Sequence, residues 1–207
     1  FPLLEEALMA MGVATFAMVE LEADDALATV AAVAAEDDEV EQVVIWTPDK
    51  DLGQCVREDS RVVQVDRRAG KVIDADGVRD KFGVDPASIP DYLALVGDSA
   101  DGFPGLPGFG AKTAAALLKH YKHIENIPDA PGQWEVTLRG GGTLASTLAQ
   151  HRELVALFKE LATLRVDRSL VDSVKQLEWT GPTPQFASVS GQFDGANVAQ
   201  KAELLAN

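Results

Sequence analysis

The order of apolar and polar positions divides this chain into recognisable pieces. In PLLEEALMAM (2–11) apolar residues recur at helical spacing until Gly12, which predicts a helix with a glycine stop. ATFAMVEL (14–21) is short and mostly apolar and predicts a buried strand. EADDALATVAAVAAE (22–36) is alanine-rich with three acids at its start, where the helix dipole favours negative charge, and predicts a second helix. EDDEVE (36–41) reads as a polar helix end and loop. VVIW (43–46) is a compact β-branched strand that runs straight into TPDKD.

RVVQVD and KVID, separated by RRAG, predict a hairpin at a sheet edge. DADGVRDKFG predicts a short helix ended by Gly83, and PASIPDYLALVG another. After a flexible RGGG at 139–142, the pattern is helical from Thr143 to Val166. Beyond Asp167 the signal fades: TGPTPQ is loop-like, and 186–207 reads as a weakly ordered tail with one helix. The order indicates an α/β sheet followed by a mostly helical second half, without an internal repeat.

Composition adds limits. A chain of 207 residues, 46% apolar, buries a sizeable core. The single cysteine, Cys55, excludes an internal disulfide framework and is expected in the core of a protein from a reducing compartment. No apolar run approaches the ~18 residues of a membrane span, and the acidic opening is not a signal peptide, so a cytoplasmic protein is expected. The chain opens on Phe1 in place of methionine, which reads as a fragment or a processed chain. Net charge is −15, yet it is unevenly spread: residues 1–49 hold no Lys or Arg, whereas 102–124 hold three Lys and no acid. An acidic region beside a cationic patch fits metal binding next to a phosphate-gripping surface. On charge alone, a solvated acidic surface fits equally well.

Three acidic groups are candidates for chemistry. Glu22, Asp24 and Asp25 open a helix, and Glu22 and Asp25, at i and i+3, share a face. Asp49 and Asp51 follow the VVIW strand, where residues two apart point to one side. Asp98 and Asp101 repeat the i, i+3 spacing and converge if the turn there is helical. Ligand sites in open α/β sheets lie at the carboxyl ends of strands, where TPDKD falls. Carboxylates packed closely need a cation to neutralise them, and an all-oxygen donor set suits Mg²⁺ or Mn²⁺. Two such ions would activate water and stabilise a leaving oxygen. Taken singly, each pair reads as a helix cap or turn acid before it reads as a ligand. Lys50, between two acids, reads as charge compensation or as a phosphate contact.

PGLPGFGAKTAAALL (104–118) fits a helix–hairpin–helix element. Gly108 and Gly110 are expected to reach left-handed angles and allow close approach of a partner backbone. The amides from Gly108 to Lys112 would form a helix start suited to an anion, Lys112 adding charge and Thr113 a hydroxyl. Such a grip reads phosphates and not bases. The plainer alternative is a packing turn that uses glycine for sterics.

EADDALAT, TPDKDLGQCV and GDSADGFPGLPGFGAKTA, in this order, resemble the 5′-nuclease family, which includes the flap endonucleases and the 5′→3′ exonuclease domain of bacterial DNA polymerase I. LFKELATLRVD resembles the closing part of that domain, so the likeness spans roughly residues 1–170. It implies a PIN-like α/β nuclease part over 1–95, a helix–hairpin–helix DNA-binding subdomain over 96–170 and an extension over 171–207. It further implies a metal-dependent 5′→3′ exonuclease and flap endonuclease acting on DNA at 5′ ends, with two Mg²⁺ or Mn²⁺ ions and K⁺ at the hairpin turn. Glu22, Asp24, Asp25, Asp49, Asp51, Asp98 and Asp101 match its metal ligands, direct or through water, and Gly108, Gly110, Lys112 and Thr113 the duplex-gripping hairpin. Gly102 stands where the family usually has Asn, and Ala111 where Pro is frequent. The family's N-terminal segment, with its metal-binding Asp residues and basic arch, has no counterpart here, which makes a separate or cleaved N-terminal chain an expected partner. The competing readings are a non-catalytic relative that binds branched DNA, and a protein-interaction domain whose acids cluster by coincidence.

Overall fold

The computed structural model describes residues 1–193 and 196–206. Two compact units form: 38–166, and the two chain ends, 1–37 with 167–207.

In the first unit, β-branched residues build a small mixed sheet. β1 (Val43–Ile45) pairs in parallel with β2 (Val62–Asp66), in register Val43 to Val62, and β2 pairs antiparallel with β3 (Lys71–Ile73). The expected hairpin is therefore β2–β3, with β3 at the edge. Parallel pairing demands a crossover between β1 and β2, and residues 46–61 provide it, including a 3₁₀ turn at Asp51–Cys55. Helix α3 (Ala75–Phe82) is capped by the Asp74 carboxylate, which accepts from Gly77 N–H at 2.8 Å, and stops at Gly83 as predicted.

Helix α4 (Ile89–Val96) is the centre of this unit. Every residue from Ile89 to Leu95 is buried. It packs among Val56, Val78, Phe103, Leu106, Leu117, Leu118, Leu148 and Phe158, each large side chain contributing roughly 1.5–3 kcal/mol by leaving water. The surrounding helices are α5 (Ala111–Tyr121), α6 (Gly141–Gln150) and α7 (Arg152–Ala162). The predicted helical run 143–166 is thus two helices broken at His151, and Gly141 and Gly142, expected to be flexible, form the first turn of α6. Cys55, expected in the core, is half-buried.

In the second unit, α1 (Pro2–Ala10) ends on groups from the opposite chain terminus. Thr183 donates to the Ala10 carbonyl from both its amide and its hydroxyl, and the Trp179 indole donates to the Met11 carbonyl at 2.8 Å. Helix α2 (Ala23–Glu36) receives Arg168 as a two-point ion pair on Glu36. The expected strand at 14–21 does not form. Its Val19 is 90% exposed, and no strand of the described residues pairs with the segment. The C-terminal end is more ordered than the fading pattern implied: α8 (Phe186–Ser190) and α9 (Ala196–Leu205) bury Phe186, Val189 and Ala202 against Ala10. Residues 194, 195 and 207 of that predicted tail lie outside the described residues. No helix among the described residues is long and apolar enough to cross a membrane.

Candidate active site

The crossover from β1 and the turn after α4 deliver three carboxylates to one place. Oxygen atoms of Asp51, Asp98 and Asp101 all lie within 4.8 Å of one another. Asp51 begins the 3₁₀ turn and is buried, Asp98 is 1% exposed, and Asp101 faces solvent. Asp49 lies close enough to add charge to Asp51 but is itself exposed.

The reasons for convergence differ from those the spacing suggested. β1 ends at Ile45, so Asp49 and Asp51 are not strand neighbours; Asp51 turns inward with the 3₁₀ turn. Nor is the Asp98–Asp101 turn helical. Asp98 and Phe103 exchange amide-to-carbonyl hydrogen bonds at 2.8 and 3.0 Å, an antiparallel bridge that folds Asp101 back beside Asp98. Asp98 Oδ1 accepts from the Ala100 amide at 2.9 Å.

Electrostatically the cluster is short of positive charge. Burial, a hydrogen bond with Asp101, and the negative charges of Asp101, Asp49 and Asp98 push the Asp51 carboxyl up to about 8. Asp51 Oδ1 and Asp98 Oδ2 are buried without a hydrogen-bond partner. Lys50 Nζ approaches Asp98 Oδ2 at 2.5 Å without hydrogen-bond alignment, so the pair is an ion contact. Lys50 thus compensates charge on Asp98, not on its sequence neighbours. A buried Asp51 oxygen left without a partner, in an all-oxygen set with one lysine for its several acids, fits a hard divalent cation.

The hairpin leads directly out of this cluster. Leu106 N–H donates to Leu95 carbonyl at 2.9 Å, drawing the chain back across the end of α4. Gly105, at φ +70°, crosses so near that a Cβ there would meet Gly97 N at 2.4 Å and Leu95 O at 2.6 Å, so only glycine fits. Gly108 is left-handed at φ +87°, as predicted; Gly110 is not. It is the extended N-cap of α5, with open space beside it, at a helix start whose first amides have no partners within the helix. Lys112 is exposed and Thr113 half-buried in that first turn, which contains no acid.

Glu22, Asp24 and Asp25 belong to the unit of the chain ends. Glu22 and Asp25 share the start of α2 in a reciprocal capping box, Glu22 N–H donating to Asp25 Oδ2 at 3.0 Å, and Asp24 is half-buried beside them.

Residues outside the predicted set complete the surroundings. The Gln64 amide nitrogen donates to the Asp49 carbonyl, and the Gln54 amide nitrogen to the Asp51 carbonyl at 2.9 Å. Gln64 had a sequence signal, a polar residue set between valines in RVVQVD. Gln54 had none. A second metal-capable group, Asp91, His123 and Glu125, is already served by a cation: Lys159 Nζ lies 2.8 Å from both Asp91 and Glu125.

With fold and carboxylate cluster established, comparison with known proteins places the chain. Residues 1–83 match the family model for the 5′-3′ exonuclease N-terminal resolvase-like domain, and residues 84–185 that for the 5′-3′ exonuclease C-terminal SAM fold. The chain belongs to the 5′-3′ exonuclease family, a family of nucleases. It is 36% identical over 182 residues to DNA polymerase I of Pseudomonas aeruginosa, covering 84% of this chain and 19% of that protein. It is 41% identical over 126 residues to a 5′-3′ exonuclease of Aquifex aeolicus, covering 61% of this chain and 42% of that one. The chain therefore spans about a fifth of the polymerase relatives it matches. Among solved structures, a bacteriophage T5 5′-exonuclease mutant superposes with TM-score 0.60 at 17% identity, over 93% of this chain and 69% of that one. A T5 flap endonuclease in a pseudo-enzyme-product complex with DNA and metal ions gives 0.60 at 18%, over 90% and 62%. These likenesses establish the α/β fold with its helical second part.

Proposed function

We propose that this chain is the nuclease part of a metal-dependent 5′→3′ exonuclease and structure-specific flap endonuclease that hydrolyses DNA phosphodiesters at 5′ ends. The observation that carries the reading is the Asp51–Asp98–Asp101 group, in which a buried Asp51 oxygen without a partner and the raised Asp51 carboxyl favour a cation. Asp49, Asp51, Asp98 and Asp101 would hold Mg²⁺ or Mn²⁺, and the resemblance of EADDALAT to the family makes Glu22, Asp24 and Asp25 candidates for further ligands, direct or through water. When bound, two ions supply Lewis acidity and an activated water for in-line displacement.

The protein's own contribution is placement. Gly108 and Gly110 let a DNA strand approach, the first amides of α5 and Lys112 face its phosphates, and Thr113 adds a hydroxyl. Turn carbonyls are the proposed seat for K⁺. Because Gly105 fastens the turn to the end of α4, the gripped phosphate and the acids keep a set separation. In functional terms, residues 1–95 carry the nuclease part, 96–170 the gripping subdomain and 171–207 an extension, in a cytoplasmic protein. The compact units cut the chain differently because its two ends pack together. The partner is duplex DNA with a 5′ flap, nick or end, and the protein's own N-terminal segment completes the site.

The test is a 5′-labelled flap substrate with Mg²⁺, comparing the chain with and without that segment, and Asp98→Asn as control. Mg²⁺-dependent release of 5′ products by the complete protein, lost in Asp98→Asn, is expected. Binding of branched DNA with no cleavage by the complete protein would replace this reading with the non-catalytic one.

A further inference from the structure

We propose that Gln54 and Gln64 are positioning residues for the metal-binding aspartates, acting through the main-chain carbonyls of Asp51 and Asp49. This rests on the metal-centre reading above. Gln64 is 1% exposed in the middle strand of the sheet, flanked by Val63 and Val65 and paired with Ile45 at the end of β1. An amide buried there is costly unless it is hydrogen-bonded. Its amide nitrogen reaches past the end of β1 to the Asp49 carbonyl.

Gln54 acts on the other aspartate and ties it to a distant element. Its amide nitrogen donates to the Asp51 carbonyl at 2.9 Å and to the Ala162 carbonyl at 3.0 Å, while its oxygen accepts from the Leu164 amide at 3.0 Å. Ala162 is the last residue of α7, where carbonyls lack partners within the helix. One side chain therefore closes that helix end and holds the backbone of Asp51. Both glutamines leave the carboxylates free and restrain the chain that carries them, the arrangement by which outer groups aim metal ligands.

The experiment uses the full-length protein with Gln54→Met and Gln64→Met, which keep side-chain length and remove the amide. Mn²⁺ binding is measured by calorimetry without DNA, and kcat and KM on a 5′-flap duplex with Mg²⁺. In each variant, Mn²⁺ affinity and kcat should each fall by about 10- to 100-fold with KM nearly unchanged. Wild-type Mn²⁺ affinity in the folded variants would overturn the proposal. So would parallel losses in kcat, DNA binding and melting temperature, which mean general destabilisation. If buried Gln64→Met does not fold, the half-buried Gln54 variant decides. Asp51→Asn separates the two readings: should it retain wild-type Mn²⁺ binding, the metal-centre reading fails, not the glutamine assignment.

Discussion

Asp91 and Asp51 are buried carboxylates in the same unit, on opposite sides of a physical divide. Asp91 is wholly buried and fully served: Oδ1 accepts from the Ile124 amide and meets Lys159, and Oδ2 meets His123 Nδ1 at 2.9 Å. Asp51 is nearly as buried, yet one oxygen has no partner and its neighbours are other acids. The first arrangement is finished by the fold itself, joining α4, α7 and the turn at Ile124–Asn126. The second is finished only by something positive from outside. Burial of acid therefore does not mark a functional site; burial of acid without compensation does.

The same chemical change at each residue should give opposite results. If Asp51 is a metal ligand as proposed, Asp51→Asn should lower Mg²⁺-dependent cleavage by the complete protein by about 10³-fold, while the metal-free melting temperature holds or rises. A fall in metal-free melting would show that Asp51 is as structural as Asp91. Asp91→Asn, in contrast, should lower stability by about 2 kcal/mol, below the usual loss for a broken buried pair because Lys159 keeps Glu125. That is a drop of about 4–8 °C in a chain of this size, with the Mn²⁺-induced rise intact.

Proton linkage sharpens the contrast. Asp51 keeps its proton up to about 8, against an ordinary 3.8, so between those values the folded state binds more protons than the unfolded. Metal-free stability from this group is therefore highest at low pH and falls as pH rises through that window. A divalent ion must displace the proton, so Mn²⁺ affinity should climb toward pH ~8 by up to about tenfold per unit and then level off. Calorimetry across that range should show the climb in the parent and a flatter profile in Asp51→Asn. The smallest effect lies at the hairpin: Lys112→Ala should weaken duplex binding a few-fold, similarly for unrelated sequences, and reduce the salt slope by about one. Strong base preference would return the hairpin to a packing role.

Much of this was legible in the chain because the local signal and the fold agree. VVIW and RVVQVD form strands, and Gly83 stops α3, for the reasons their side chains suggest. ATFAMVEL misled because a short apolar run does not distinguish a strand from exposed coil, and Val19 lies in solvent. The acids Asp98 and Asp101 were visible, but their convergence comes from the bridge to Phe103, which i, i+3 spacing cannot reveal. Phe186 and Val189 bury against Ala10, and Lys159 meets Asp91, through pairings between distant parts of the chain that no local pattern carries. Gly110 looked like a second left-handed glycine and is an N-cap, a position that also accepts glycine in an extended conformation.

The crossing of Gly105 over Gly97 also governs what lineages can do with this stretch. One residue inserted or lost between Gly97 and Asp98, or between Phe103 and Gly105, would pull the Asp98–Phe103 pairing out of step with the crossing, where neighbouring backbone atoms leave no slack to absorb it. The exposed turn Arg67–Gly70, by contrast, has open space around its glycine and can lengthen at little cost. On the two arms that join the bridge to the crossing, 97–98 and 103–105, it is then the count of residues that descent must preserve, even at positions where the side chains are free to drift.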